Sequence, residues 1–284
     1  MDMSHASDVQ QLTRPDGRVA YTDTGEGPVV VLVPGMGDLR ATYDTLAPLV
    51  AGAGYRVVVT DLRGHGDSDT DFRAYGDSVT AADLVALVEH LDAGPAVLVG
   101  SSMGGSAAVI AAADRPDLVS GVVLLAGFLR EPMSPAMGAV MRGFYRILFA
   151  RPWGGAVWAW YVRSMLSKGR PTPGLDARIA LLRRTFGDPA RLRAFRRLTV
   201  ALDHREVEAR LTDVRTPVLA VFGDTDPDFS DARAELAFAR ETLGADGIVL
   251  EQVGHYPHLQ ARDEVLAVLL PFLAATTRED DADA

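Results

Sequence analysis

Ser102 lies in Val97-Leu98-Val99-Gly100-Ser101-Ser102-Met103-Gly104-Gly105, with a glycine two positions before it and another two positions after. A β-branched run precedes it and an alanine-rich, helix-length stretch follows. That is the setting in which G-x-S-x-G holds a serine on a sharp strand-to-helix turn. A nucleophile there occupies a strained backbone conformation. Side chains at positions 100 and 104 would collide with the neighbouring strand and helix, which accounts for the two glycines. Ser101 is a competing hydroxyl but lacks the symmetric spacing. An ordinary glycine-rich turn is the bland alternative, and the strand before and helix after weigh against it.

A serine hydroxyl needs a base to take its proton. Of the six histidines, His5 lies in the terminus, His65 in a loop, His90 on a helix and His204 in the middle of the chain. His255, in Val253-Gly254-His255-Tyr256-Pro257, follows the last predicted strand and precedes the last helix. Loops at the carboxyl ends of parallel strands converge on one crevice, so His255 is the candidate base. His258 follows three residues later, but His-x-x-His in a loop without a third ligand is weak evidence for a metal. No metal or cofactor is expected.

A carboxylate must orient the base. Asp224, Asp226 and Asp228 all follow the strand Pro217–Phe222, where Asp and Pro are also favoured as turn residues, and at least two of the three are expected to be only that. The order Ser102, an Asp near 226, then His255 matches nucleophile, acid and base. An oxyanion also needs N–H donors. These are expected from the backbone of Met103, just after the serine, and of Met36 in Pro34-Gly35-Met36-Gly37.

The elements that must position these residues alternate. Strand-like runs cover Arg18–Asp23, Val29–Val33, Arg56–Thr60, Ala96–Val99, Gly121–Ala126, Pro217–Phe222 and Gly247–Glu251, with a hairpin signal at Asp16-Gly17. Helical patterns cover Val79–Leu91, with Asp77 or Ser78 as N-cap, Met103–Ala113 and Asp263–Leu273. Such a rhythm implies a mostly parallel sheet with helices on both faces. It stops near Leu129. Residues 130–211 show no strand, only helical stretches broken by Pro132, Pro135, Pro152, Pro171, Pro173 and Pro189. We read an all-helical insertion there, with residues 1–129 and 212–284 as the core. The acidic tail from Glu279 is expected to be frayed.

Composition bounds the rest. The 284 residues can bury a sizeable core, and 48% hydrophobic against 23% charged residues excludes a disordered chain. No cysteine is present, which removes disulfides, thiolate metal sites and a cysteine nucleophile. A net charge of −10 argues against nucleic acid as a partner. The most apolar patch, Trp153–Val162, is far short of the roughly 20 residues a membrane span needs. With no export signal at Met1–His5, a soluble cytoplasmic protein acting on a small molecule is expected, with no membrane partner. The charge is uneven: residues 130–210 hold 16 Lys and Arg against 6 Asp and Glu, the remainder 12 against 32. Arg193-Ala194-Phe195-Arg196-Arg197 could select carboxylate-bearing substrates, but solvation or pairing with acidic neighbours is the favoured reading.

Together these residues resemble the α/β-hydrolase superfamily over most of the chain. Asp61-Leu62-Arg63-Gly64-His65-Gly66-Asp67-Ser68 is similar to the family's D-x-R-G-x-G-x-S stretch after the fourth strand. Ser102 falls on the nucleophile, Asp226 on the acid of G-x-x-D and His255 on the base. The resemblance implies an eight-stranded, mostly parallel sheet flanked by helices, with residues 130–211 as a helical lid over a pocket that Trp158 and Phe144 could wall. The family usually has His-Gly at the oxyanion loop, whereas Pro34 stands here; this bears on loop support, since the donor is main-chain. A serine rather than an aspartate at position 102 argues, by resemblance, against the dehalogenase and epoxide hydrolase branches. The expected activity is hydrolysis of a carboxylic ester or lactone. Carbon–carbon bond hydrolysis, cofactor-free perhydrolase or haloperoxidase chemistry, and a ligand-sensing receptor with little turnover are the alternatives.

Overall fold

The computed structural model describes residues 8–131 and 133–277. His5, Pro132 and the acidic tail from Glu279 lie outside the described residues. Eight strands, Gln10–Arg14 (β1), Gly17–Thr24 (β2), Val29–Val33 (β3), Arg56–Thr60 (β4), Ala96–Ser101 (β5), Val119–Leu125 (β6), Val218–Gly223 (β7) and Asp246–Leu250 (β8), form one sheet in the order β1-β2-β4-β3-β5-β6-β7-β8. β2 pairs antiparallel with both β1 and β4, and every other pairing is parallel. The hairpin signal at Asp16-Gly17 is the β1–β2 turn, so one strand precedes the first that the pattern revealed.

The helices are Ala47–Gly52 (α1), Asp77–Leu91 (α2), Met103–Asp114 (α3), Pro135–Leu148 (α4), Gly154–Tyr161 (α5), Leu175–Gly187 (α6), Pro189–Ala201 (α7), Arg205–Glu208 (α8), Ala232–Leu243 (α9), Pro257–Gln260 (α10) and Arg262–Thr276 (α11). Side chains alternate across a strand, so successive residues of the central strands serve two separate cores. Val29, Val31, Leu98, Val122, Leu124 and Phe222 pack with residues of α2, α3 and α9. Val30, Leu32, Val97, Val99, Val123 and Val221 pack with α1 and α11. All residues of β3 and β5 are buried, as strands covered on both faces must be.

Among the described residues, the segment between β6 and β7 contains no strand and holds α4 to α8. Pro135 and Pro189 start helices rather than ending them. Each occupies the first turn behind a capping side chain, Ser134 and Asp188 respectively. One expected cap is corrected: α2 begins behind Gly76 with no side-chain cap, and Asp77 turns away to another partner. The helical segment has its own apolar cluster, including Phe149, Trp158, Leu182, Phe186 and Phe195, which also takes in Leu39, Tyr256 and Leu259 from the loops of the sheet-bearing part. On α4 Met137, Val140 and Ile147 form an exposed row. No helix among the described residues is long and apolar enough to cross a membrane.

Candidate active site

β5 runs directly into Ser102, whose φ of 53° and ψ of −125° are costly for a residue with a side chain. Backbone hydrogen bonds hold it: Ser102 N–H donates to Leu125 O at 2.9 Å, and Ser102 O accepts from Gly105 N–H at 2.9 Å and Ser106 N–H at 3.3 Å. A methyl group on Gly100 would come within 2.2 Å of the Gly104 carbonyl carbon, and one on Gly104 within 2.5 Å of Val33 O. The two glycines are therefore steric requirements of this turn. Ser101 is the last residue of β5, and its Oγ is buried without a partner among the described residues.

The loops after β7 and β8 bring the next two groups together. His255 Nδ1 lies 2.7 Å from Asp226 Oδ2, and both side chains are buried. The ionised carboxylate only accepts, so Nδ1 carries the proton and Nε2 is the free ring nitrogen. Asp226 Oδ1 accepts from Asp228 N–H at 3.0 Å. His255 N–H donates to Leu166 O at 2.9 Å, so the helical segment fixes the backbone of the imidazole. Ser102 and His255 line the same cavity. No hydrogen bond joins Ser102 Oγ to the ring among the described residues, and in free enzymes that contact often tightens only around substrate.

Of the three aspartates, Asp224 is exposed, as a turn residue should be. Asp228 is not merely a turn residue, and this corrects the expectation that only one of the three has a further role. Its Oδ2 lies 3.6 Å from His255 Nδ1, and its Oδ1 accepts from Tyr161 O–H at 2.9 Å. Burial pulls the His255 pKa down, but the Asp226 and Asp228 carboxylates outweigh it and push the pKa up to about 9. Asp226, Asp228 and His255 place three ligating atoms within 4.8 Å of one another. The short Nδ1–Oδ2 contact is already closed as a hydrogen bond, so the cluster suits proton handling better than a cation. His258 takes no part: its Nε2 meets Thr42 Oγ1 at 2.9 Å, its ring stacks on Tyr43, and burial keeps its pKa well below the ordinary value.

The loop after β3 passes against the serine, since a methyl on Gly35 would come within 2.8 Å of Ser102 Cβ. Neither Met36 N–H nor Met103 N–H has a hydrogen-bond partner among the described residues. For Met103 this follows from its place as the first residue of α3. The loop needs no histidine at position 34 because two other side chains grip it. His65 Nδ1 donates to Arg63 O at 2.9 Å, leaving Nε2 to accept from Gly37 N–H at 3.1 Å. Burial lowers the His65 pKa to about 4, so the ring is neutral, as that pattern demands. Trp158 Nε1–H donates to Gly37 O at 2.7 Å. Sequence reasoning placed His65 only in a loop and Trp158 only in a wall.

The cavity above Ser102 has a volume of about 520 Å³, and its wall includes Phe128, Phe144, Trp158 and Tyr256. Below it, Arg178 Nη2 and Asp38 Oδ2 form a buried ion pair at 2.6 Å, and the guanidinium lies 3.7 Å from the Tyr256 ring centre. No sequence signal marked this pair, which joins α6 to the loop after β3. The arginine cluster at 193–197 is not in the cavity wall; Arg197 donates to Arg73 O and covers Tyr75. Arg142 is the arginine that lines it.

Comparison with known proteins places this arrangement in a wider set. A family model described as the alpha/beta hydrolase family matches residues 30–268. A pimeloyl-[acyl-carrier protein] methyl ester esterase of Neisseria meningitidis serogroup B is 30% identical over 262 residues, covering 88% of this chain and 94% of that protein. An epoxide hydrolase of Caballeronia sordidicola is 38% identical over 98 residues, covering 34% and 30% of the two chains. Among solved structures, a thermophilic esterase from Thermogutta terrifontis superposes with a TM-score of 0.78 at 24% identity, over 96% of this chain and all of that one.

Proposed function

Because the chain belongs to the alpha/beta hydrolase family, we propose that it cleaves an ester-like bond, a carboxylic ester or lactone, of a small molecule through an acyl-enzyme on Ser102. His255 Nε2 takes the Ser102 proton as Oγ attacks the carbonyl carbon, then gives it to the leaving alcohol as the carbon–oxygen bond breaks. Water attacks the acyl-enzyme with the same base, releasing the acid and restoring the serine. Asp226 holds the Nδ1–H tautomer and stabilises the imidazolium. The N–H groups of Met36 and Met103 are the donors for the oxyanion, each worth on the order of 3 kcal/mol in the transition state. Residues 130–211 act as a lid whose inner face forms the acyl or alcohol pocket.

The observation that carries this reading is the 2.7 Å Asp226–His255 contact at the rim of a cavity that also holds a serine in a left-handed, strained conformation. The experiment is turnover of a panel of nitrophenyl esters of increasing chain length. Catalysis by the native protein that disappears in Ser102→Ala is expected. Hydrolysis no faster than buffer, with tight ligand binding, would move the protein to the receptor class.

A further inference from the structure

The same cavity holds a second buried imidazole–carboxylate pair, which hydrolysis at Ser102 does not use. His204 Nδ1 lies 2.9 Å from Asp77 Oδ2. The Asp77 side chain is fully enclosed, and its other oxygen has no partner among the described residues. Since the carboxylate accepts, Nδ1 donates to it, and Nε2 is the ring nitrogen left over. His204 lines the cavity, and among the described residues its Nε2 neither has a hydrogen-bond partner nor counts among the fully enclosed atoms. What it meets is the cavity.

The ring is held in three ways. Asp77 fixes its edge, and Phe128 stacks against its face with centroids 4.5 Å apart and planes 10° from parallel. Its backbone N–H donates to Glu131 Oε2 at 3.2 Å. The Phe128 ring is also 6.4 Å from the His255 ring, so one aromatic ring neighbours both imidazoles, and both histidines line the cavity that holds Ser102. The wall that includes His204 also holds Phe128, Met141, Leu148 and Leu202, together with the polar Glu131, Thr199 and Asp228. An oriented, unpaired ring nitrogen in the wall favours a ligand that brings a hydrogen-bonding group to it and penalises one that leaves it unpaired. A tie between α2 and the helical segment alone would be made more cheaply by an apolar pair.

We propose that His204, oriented by Asp77, is a specificity-determining residue whose Nε2 hydrogen-bonds to a hydroxyl group carried on the acyl chain of the substrate. This rests on the reading of Ser102 as the reacting group, and it assigns the His204 side of the cavity to the acyl chain. The preferred substrate class is therefore a hydroxyacyl ester rather than a plain fatty ester.

The test measures binding without turnover. Ser102→Ala protein is titrated calorimetrically with methyl hexanoate and with hexanoate esters carrying a hydroxyl at successive carbons. One hydroxylated ester is expected to bind about tenfold tighter than the plain one. Adding His204→Phe, which keeps the stack on Phe128, is expected to reduce that preference to about twofold or less, and His204→Gln, whose amide oxygen can accept, to retain part of it. Equal binding of plain and hydroxylated esters, or a preference that survives His204→Phe, overturns the proposal. Should the phenylalanine variant not fold, Asp77→Asn decides: a reduced preference supports the proposal and an unchanged one overturns it. Failure of native protein to hydrolyse any ester would overturn the proposed function while leaving this binding result intact.

Discussion

The rim of the sheet and the helical segment between β6 and β7 both face the cavity, but they are built on different terms. At the rim, geometry is imposed by backbone. Ser102 is held in its strained turn because Gly100 and Gly104 leave room for neighbouring main chain, and Gly35 lets the oxyanion loop pass against the serine. In the helical segment, position is imposed by side-chain packing. Trp158 grips Gly37 O, Leu166 O receives His255 N–H and Arg178 pairs with Asp38, while the outer row of α4 remains exposed. On the proposed reading, chemistry sits where the backbone cannot move without collision, and selectivity sits where packing can be redrawn. The two regions nevertheless share parts, because His255 and the loop after β3 are each fixed in part from the helical side.

That division is open to direct challenge. The largest effect is expected for Ser102→Ala, with kcat for any ester substrate falling about 10⁶-fold while binding persists; steady-state kinetics on purified protein reads it. Asp226→Asn is expected to lower kcat about 10⁴-fold, because the amide favours the wrong tautomer of His255. An equal loss in Asp228→Asn would mean that the orienting carboxylate has been misassigned.

On the helical side, Arg178→Ala removes one partner of a buried pair and strands Asp38. The expected cost is about 3–5 kcal/mol of unfolding free energy, measured by denaturant titration. A change below about 1 kcal/mol would mean that this tether between the regions contributes little.

Asp228→Asn separates the two carboxylates by pH. Asp228 helps raise the His255 pKa, and the base must be neutral to accept a proton. Native kcat/KM is therefore expected to climb with pH through about 9, and the variant's rise is expected at lower pH. The linked stability runs the opposite way. A raised folded-state pKa contributes stability that is fully present below the ordinary histidine value of about 6.5 and is lost as pH rises toward about 9. Unfolding curves across that interval check the sign. Smallest of all, Arg197→Ala on the outer surface is expected to change kcat/KM by about twofold or less for anionic and neutral esters alike. A selective loss on anionic esters would restore the arginine cluster to the site.

Legibility in the sequence follows the same division. Gly100, Gly104 and the β-branched runs announced the strand-to-helix turn because period and glycine spacing are local properties. His255 was found from its place after a strand at the carboxyl end of the sheet. β1 was missed because Gln10–Arg14 is short, polar and at the edge, with only Leu12 buried. The part played by Asp228 was hidden because an aspartate near a proline reads equally well as turn chemistry. The grips of His65 and Trp158 on Gly37, and the Arg178–Asp38 and His204–Asp77 pairs, carried no signal, since the partners lie far apart in sequence and meet only on folding.

The central claim is that Ser102 is made nucleophilic by His255 and Asp226. Its most direct test is the rate and position of labelling by a fluorophosphonate across a pH series, with the modified peptide located by mass spectrometry. Stoichiometric labelling of Ser102 alone, accelerating as pH rises through about 9 and strongly slowed in Asp226→Asn, is the expected result. Labelling at another residue, or none at any pH in folded protein, would contradict it.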